Sequence, residues 1–328
     1  MQYRILGRTG IRVSEIGFGA WAIGGTAEAS GMPIGWGRSS DDESLAAIRR
    51  ARELGVNFFD TADCYGFGRS ESLLGIVLSR YRKDVVIATK VGVVRSSTGQ
   101  LRKDFSRNHI FLAVDGSLKR LRSDYIDLYQ LHNPSLDDLR RGEVQEAMEQ
   151  LQDSGKIRFW GVSISTVDEG LEIVKHGWGN ALQVLYNVLN QQPADELLPL
   201  AKERGFGVIA RVPLASGLLT GKYREGTTFA ADDIRQNFLT QRRLTEVTQR
   251  VDEVKSIIGG AARNIAEGAL RFILASDAVS TVIPGARNAR QVETNVAATD
   301  AKLPADVVTK LRTRLGDYNF YHRHNIRI

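Results

Sequence analysis

Four reactive side chains stand at or just beyond the ends of three successive apolar runs in this sequence. NFFDTADCYGFGRSE places Asp60 at the end of one run and Tyr65 in the loop after it; VVIATK ends on Lys90, and LYQLH ends on His132. A tyrosine with an ordinary pKa of about 10 keeps its proton at neutral pH and can donate it. A lysine beside it would lower that pKa, and a carboxylate would keep the lysine charged and oriented. An imidazole can hydrogen-bond a substrate oxygen and fix its approach. Together the four suit reduction of a carbonyl, in which carbon takes a hydride and the developing alkoxide takes a proton. No covalent nucleophile and no metal is required. Taken singly, each residue reads as a satisfied polar group; jointly they demand a fold that brings strand ends together. Cys64, the lone cysteine, reads as a bystander next to Tyr65.

The elements that would do this are legible in the hydrophobic pattern. Eight β-rich runs recur along the chain: SEIGFG, VNFFD, DVVIATK, YIDLYQLH, FWGVSIS, ALQVLYN, GVIARV and VSTVIPG. Helical segments such as DESLAAIRRARELG, NHIFLAVDGSLKRL, EVQEAMEQLQDSGK and VDEGLEIVKHG lie between them. Repeated strand–helix alternation with right-handed crossovers predicts an α/β fold, a (β/α)8 TIM barrel built as one domain over residues 1–328. YRILGRTGIRVSEI reads as an N-terminal hairpin with Thr9-Gly10 at its turn. Residues 22–40 and 214–260 read as long βα loops, which belong to the C-terminal face of a barrel, where active sites are built.

Composition narrows the partners. The chain has 328 residues, a net charge of +6, 42% hydrophobic and 25% charged residues, and its basic residues form no tract. This is the balance of a globular protein that binds no nucleic acid, whereas a phosphorylated small ligand is compatible. A lone cysteine forms no internal disulfide. The first residues, MQYRILGRTGIRVSE, contain no apolar signal core, and no stretch approaches the ~18 apolar residues of a membrane span. The expectation is a cytoplasmic protein without membrane contact; its oligomeric state is not encoded in any readable pattern. Two motifs are decoys. Gly17-Phe-Gly-Ala-Trp-Ala22 matches a dinucleotide fingerprint, but that motif needs a helix starting inside it, and the following glycines delay any helix to about residue 40. It reads as loop over the barrel mouth. His322 and His324 read as a solvated tail.

The sequence resembles the aldo-keto reductases, especially the bacterial branches near the potassium-channel β subunits. The motifs run in order from LGRTGIRVSEIGFGAW through FDTADCYGFGRSE, ATK, LYQLHNP, GVS and QVLYN to SGLLTGKY and IPGARNARQVETN. The resemblance implies NADPH-dependent reduction of aldehydes and ketones, with Asp60, Tyr65, Lys90 and His132 as the catalytic tetrad. It implies that Ser163 and Gln183 bind the nicotinamide carboxamide and that Asp60 also meets the cofactor; Trp21 reads as a wall of the substrate or ribose pocket or as a core tryptophan. Leu214, Gly217, Leu218 and Lys222 would surround the pyrophosphate, and Gly285, Ala286, Arg287, Gln291 and Asn295 the adenosine. Arg287 and Gln291 are expected on the first turns of a helix, facing a 2′-phosphate. The chain departs from relatives at three places: Ile164 stands where many carry Asn, Glu293 is one place early and leaves Thr294 at an adenine contact, and Arg211 replaces an aromatic residue that stacks on the nicotinamide. A guanidinium plane can stack as well. The rival readings are an NAD(P)+-dependent sugar or polyol dehydrogenase and a redox-sensing, slow-turnover subunit that holds the cofactor.

Overall fold

The β-rich runs pair into one eight-stranded parallel sheet in the computed structural model, which describes residues 1–326. The chain opens with an antiparallel hairpin, β1 (Tyr3–Ile5) and β2 (Arg12–Ser14). β3 (Phe18–Gly19) begins the barrel, and the loop after it carries a small hairpin, β4 (Glu28–Ala29) and β5 (Met32–Pro33). β6 (Phe58–Asp60) and β7 (Val86–Val91) follow, then a second loop hairpin, β8 (Val93–Arg95) and β9 (Leu101–Lys103). The barrel continues with β10 (Ile126–His132), β11 (Ile157–Ser163), β12 (Ala181–Leu185), β13 (Gly207–Arg211) and β14 (Thr281–Val282).

The sheet closes between its outer strands. Gly17 N–H donates to Val282 O at 2.8 Å and Gly19 N–H to Pro284 O at 3.1 Å, joining β3 to the β14 segment. A Cβ on Gly19 would sit 2.6 Å from Ile283 O, so this glycine permits barrel closure. The Gly17–Ala22 run is therefore a seam followed by a 3-10 turn at Ala20–Ile23, and the first α-helix begins at Asp41, capped by Ser40.

Side chains alternate along each strand, and this parity builds the site. Phe59, Ile87, Tyr129 and Val162 face outward into the core shared with the helices. Their neighbours Phe58, Val86, Ala88, Leu128, Ala181 and Ile209 fill the barrel floor, plugged from below by Leu6, Ile11 and Val13 of the hairpin. The hairpin docks closely: Arg8 N–H donates to Gly205 O at 2.6 Å, and a Cβ on Gly7 would meet Gly207 N at 2.2 Å. Its turn is a 3-10 turn over Gly7–Thr9, ended by Gly10 at φ 68°. One step above the apolar floor, the same inward parity brings up Asp60, Lys90 and Gln130.

Two expectations about the chain's later part are corrected. Residues 214–260 are not loop throughout: Gln241–Ile258 is an 18-residue helix with Leu244, Val247, Val251, Val254 and Ile258 buried at helical spacing. Dense charge between those apolar positions hid the period. The C-terminal tail is solvated only in part. Phe320 and Tyr321 are buried, and Tyr321 Oη lies 2.9 Å from Ser216 Oγ. His324 packs on Phe320 and approaches Glu246 at 3.4 Å, while His322 stays exposed. Among the described residues, no helix is long and apolar enough to cross a membrane.

Candidate active site

The tetrad predicted from strand ends is assembled around one buried carboxylate. Lys90 Nζ donates to Asp60 Oδ1 at 2.6 Å and to Thr61 O at 2.8 Å, and lies 3.3 Å from Tyr65 Oη. Asp60 Oδ2 accepts from Gln130 Nε2 at 3.0 Å and from Gln183 Nε2 at 2.7 Å. A buried ion pair persists when its remaining lone pairs are satisfied, and here two amides from β10 and β12 do that. Tyr65 reaches this group from the loop after β6. His132, at the end of β10, stands edge-on to the Tyr65 ring at 5.9 Å, and Cys64 Sγ lies 3.6 Å from His132 Nδ1.

Burial governs the protonation states. It pushes the Tyr65 phenol up to about 12; Lys90 pulls in the opposite direction and Asp60 adds to the rise. The expected lowering by Lys90 is thus present but outweighed by desolvation. Burial also lowers the Lys90 pKa, yet Asp60 and then Tyr65 reverse the sign and raise it, so the ammonium stays charged. Burial, Lys90, Lys103 and Arg211 all lower the His132 pKa well below its usual value, which keeps the ring neutral. The site therefore holds a protonated phenol, a fixed cation and a neutral imidazole.

Tyr65 and His132 open into a cavity of about 1530 Å³ at the C-terminal ends of the strands. Trp21 walls it, stacked on Tyr65 at 5.9 Å and against Trp36 at 5.2 Å. Ser163, Gln183 and Arg211 line its middle; Leu214, Gly217 and Lys222 line the edge formed by the loop after β13. Gly285, Arg287, Gln291 and Asn295 line the far end. Leu218 and Ala286 do not line it: both side chains are buried in the core. Lys90 is fully buried, with its Nζ 3.3 Å from Tyr65 Oη.

One placement differs from expectation. Arg287 precedes the helix Ala289–Val296, with Asn288 as its cap, rather than sitting on its first turn. Its backbone N–H still donates to Gln291 Oε1 at 2.8 Å, and its guanidinium donates to Trp36 O. Glu293, the displaced acid, pairs with Arg50 at 2.7 Å on the helix Asp41–Glu53, leaving Thr294 and Asn295 on the cavity. Ser163 Oγ donates to Asn133 Oδ1 at 2.9 Å, and Arg211 Nη2 donates to Ile164 O at 3.2 Å.

Other residues carry the site without a readable sequence signal. Gln130 shares the inward parity of His132 in LYQLH, the one hint available for it. Asn133 takes a left-handed φ of 55°, a conformation asparagine tolerates, and turns the chain away from His132. Lys103, from the unforeseen β8–β9 hairpin, donates to His132 O. Arg235 reaches the cavity from the loop after β13, held by Asp233 at 2.9 Å and lying over Trp36 at 5.2 Å. In that same loop Val212, Ala215, Ser216 and Gly217 all have positive φ, between 48° and 95°. Strained non-glycine backbone of this kind gathers at functional sites.

The comparisons with known proteins agree with this geometry. The Aldo/keto reductase family pattern matches residues 15–314. The chain is 34% identical over 299 residues to aldo-keto reductase YhdN of Bacillus subtilis, a match covering 89% of this chain and 87% of that one. It is 32% identical over 333 residues to a probable voltage-gated potassium channel subunit beta of Oryza sativa, covering 95% of each. Its fold matches the holo form of aldo-keto reductase AKR11C1 from Bacillus halodurans with a TM-score of 0.81 and 32% identity, over 99% of both chains. With a family pattern across most of its length and a barrel shared end to end, this chain belongs to the aldo/keto reductase family of oxidoreductases.

Proposed function

We propose that this oxidoreductase reduces aldehydes and ketones to alcohols, with NADPH as hydride donor and Tyr65 as proton donor. The observation that carries this reading is the position of Lys90 Nζ, 2.6 Å from Asp60 and 3.3 Å from Tyr65 Oη, at the base of an open cavity. When bound, a reduced nicotinamide supplies the hydride. Tyr65 holds its proton at neutral pH because burial raises its pKa, and it releases that proton to an alkoxide. Lys90 stabilises the phenolate left behind, and Asp60 keeps the ammonium in place. His132, being neutral, orients the carbonyl oxygen without competing for the proton.

The residues present suit a phosphorylated dinucleotide. The cavity of about 1530 Å³ exceeds the ~300–1,000 Å³ of ordinary small-molecule sites, so it has room for an extended cofactor beside a substrate. Arg287 and Arg235 both line the cavity, and burial, then Arg235, lower the Arg287 pKa while Asp233 offsets part of that. An anion there would relieve that repulsion, which favours NADPH over NADH. Ser163 and Gln183 would hold the nicotinamide end, and Leu214, Gly217, Leu218 and Lys222 the pyrophosphate.

The relationship to a channel β subunit at 32% identity favours one second reading, a cofactor-holding subunit with slow turnover. Following NADPH absorbance with 4-nitrobenzaldehyde separates the two. Steady turnover that drops ~10²- to 10⁴-fold in Tyr65→Phe, with NADPH affinity kept, supports the reductase. A single stoichiometric oxidation followed by a stall supports the subunit. Faster reaction with sugars or polyols and NADP+ than with any carbonyl would turn the assignment toward a dehydrogenase.

A further inference from the structure

Cys64 and His132 meet on the wall of the catalytic cavity, with Sγ 3.6 Å from Nδ1. The proton and hydride chemistry makes no use of this thiol. The other ring nitrogen, Nε2, has no protein partner among the described residues, and the ring stands edge-on to Tyr65. Lys103 holds the His132 backbone by donating to its carbonyl, and the ring itself is held at Nδ1 by Cys64.

A neutral imidazole carries one proton, and the hydrogen bond made by one nitrogen decides which nitrogen carries it. Between a thiol and an imidazole nitrogen, S–H···N joins a weak donor to a good acceptor. The reverse, N–H···S, uses sulfur as a weak acceptor and leaves the thiol hydrogen without a partner. We propose that Cys64 is a positioning residue: its thiol donates to His132 Nδ1, so the ring's proton sits on Nε2 and faces the substrate carbonyl oxygen. The proposal rests on the carbonyl-reductase reading of this cavity. An Nδ1–H ring would turn a lone pair toward that oxygen, repelling it where a donor is needed.

The electrostatics agree with this geometry. Burial and then Asp63 push the Cys64 thiol up, so sulfur keeps the hydrogen it donates. Burial and then Lys90 pull His132 down, so the ring has one proton to place. A thiol held in this form is a poor nucleophile, which suits orientation rather than oxidation chemistry.

The test is a long-range ¹H–¹⁵N spectrum of the histidine rings in the free protein. The chain has 5 histidines, and His132 is assigned by the signal lost in His132→Gln. Wild type is expected to show the Nε2–H tautomer, Cys64→Ala to shift toward Nδ1–H, and Cys64→Ser, which keeps a donor, to stay with wild type. In turnover, Cys64→Ala should lower kcat about three- to ten-fold, the effect of one ordinary hydrogen bond, with KM for NADPH unchanged; Cys64→Ser should recover most of it. An Nδ1–H ring in wild type overturns the proposal, as does a Cys64→Ala protein with unaltered kcat. The spectrum needs neither cofactor nor substrate. Absence of reductase turnover in wild type would therefore overturn the functional reading while the tautomer remained measurable.

Discussion

Gln183 donates its amide to Asp60 Oδ2 at 2.7 Å, across the barrel interior from β12 to β6. A residue expected to address the cofactor thus already serves Asp60, and its amide oxygen is the group left to meet a ligand. Gln183→Leu should remove one of the amides that satisfy Oδ2. The expected loss is ~1–3 kcal/mol of stability, the penalty for an under-satisfied buried acceptor. Urea unfolding measures it, and an unchanged midpoint would show that this bond holds nothing in place.

Lys90→Met would strand Asp60, whose side chain is 3% exposed, without its cation. Breaking a buried pair from one side costs about 3–5 kcal/mol, so Asp60→Asn together with Lys90→Met should recover much of that loss. Because Lys90 lowers the Tyr65 pKa against the burial that raises it to about 12, the single variant should also move the alkaline limb of the kcat profile upward. A limb that stays in place, in folded protein, would uncouple the two residues.

Asp63 offers a pH test away from the reacting atoms. Burial, then Glu71, push its carboxyl up to about 8, and its Oδ1 is shut off from solvent without a partner. The folded state therefore keeps a proton that the unfolded chain loses near pH ~4. This contribution is complete below that pH and is withdrawn by ~1.4 kcal/mol per unit as pH rises toward the folded value. Asp63→Asn should flatten the slope, gaining on wild type between pH 5 and about 8 in urea unfolding. Parallel stability curves for the two proteins would refute the shift.

Arg287→Ala should weaken NADPH by ~1.5–3 kcal/mol, the scale of hydrogen bonds to charged groups, and leave NADH nearly untouched. Fluorescence titration with both cofactors reads the difference. Equal losses would mean that the contact Arg287 makes with Trp36 O shapes the pocket generally and that no phosphate is gripped there.

The eight runs and the ends on which Asp60, Lys90 and His132 fall were legible because strand parity is a local property. A residue two places beyond Ala88 must face the same way as Ala88, so Lys90 had to enter the barrel. The family motifs carried the remaining site positions, and the cavity is lined by most of them. Local patterns hidden under charge, such as the helix Gln241–Ile258, were lost because polar residues dilute the apolar period.

Tertiary structure alone decided who partners whom. Gln130, Gln183 and Lys90 converge on Asp60 from separations of up to 123 residues, a matter of how the strands are staggered around the barrel. The same holds for Arg235 beside Trp36, for Tyr321 on Ser216, and for the thiol of Cys64 against His132. Even the sign of the Tyr65 shift, expected downward from the lysine, is reversed in the folded protein, since loss of water acts against the neighbouring cation and outweighs it. Residue type and spacing specify which forces are available. Which force prevails depends on how much water the closed barrel removes, and that is set only when distant strands meet.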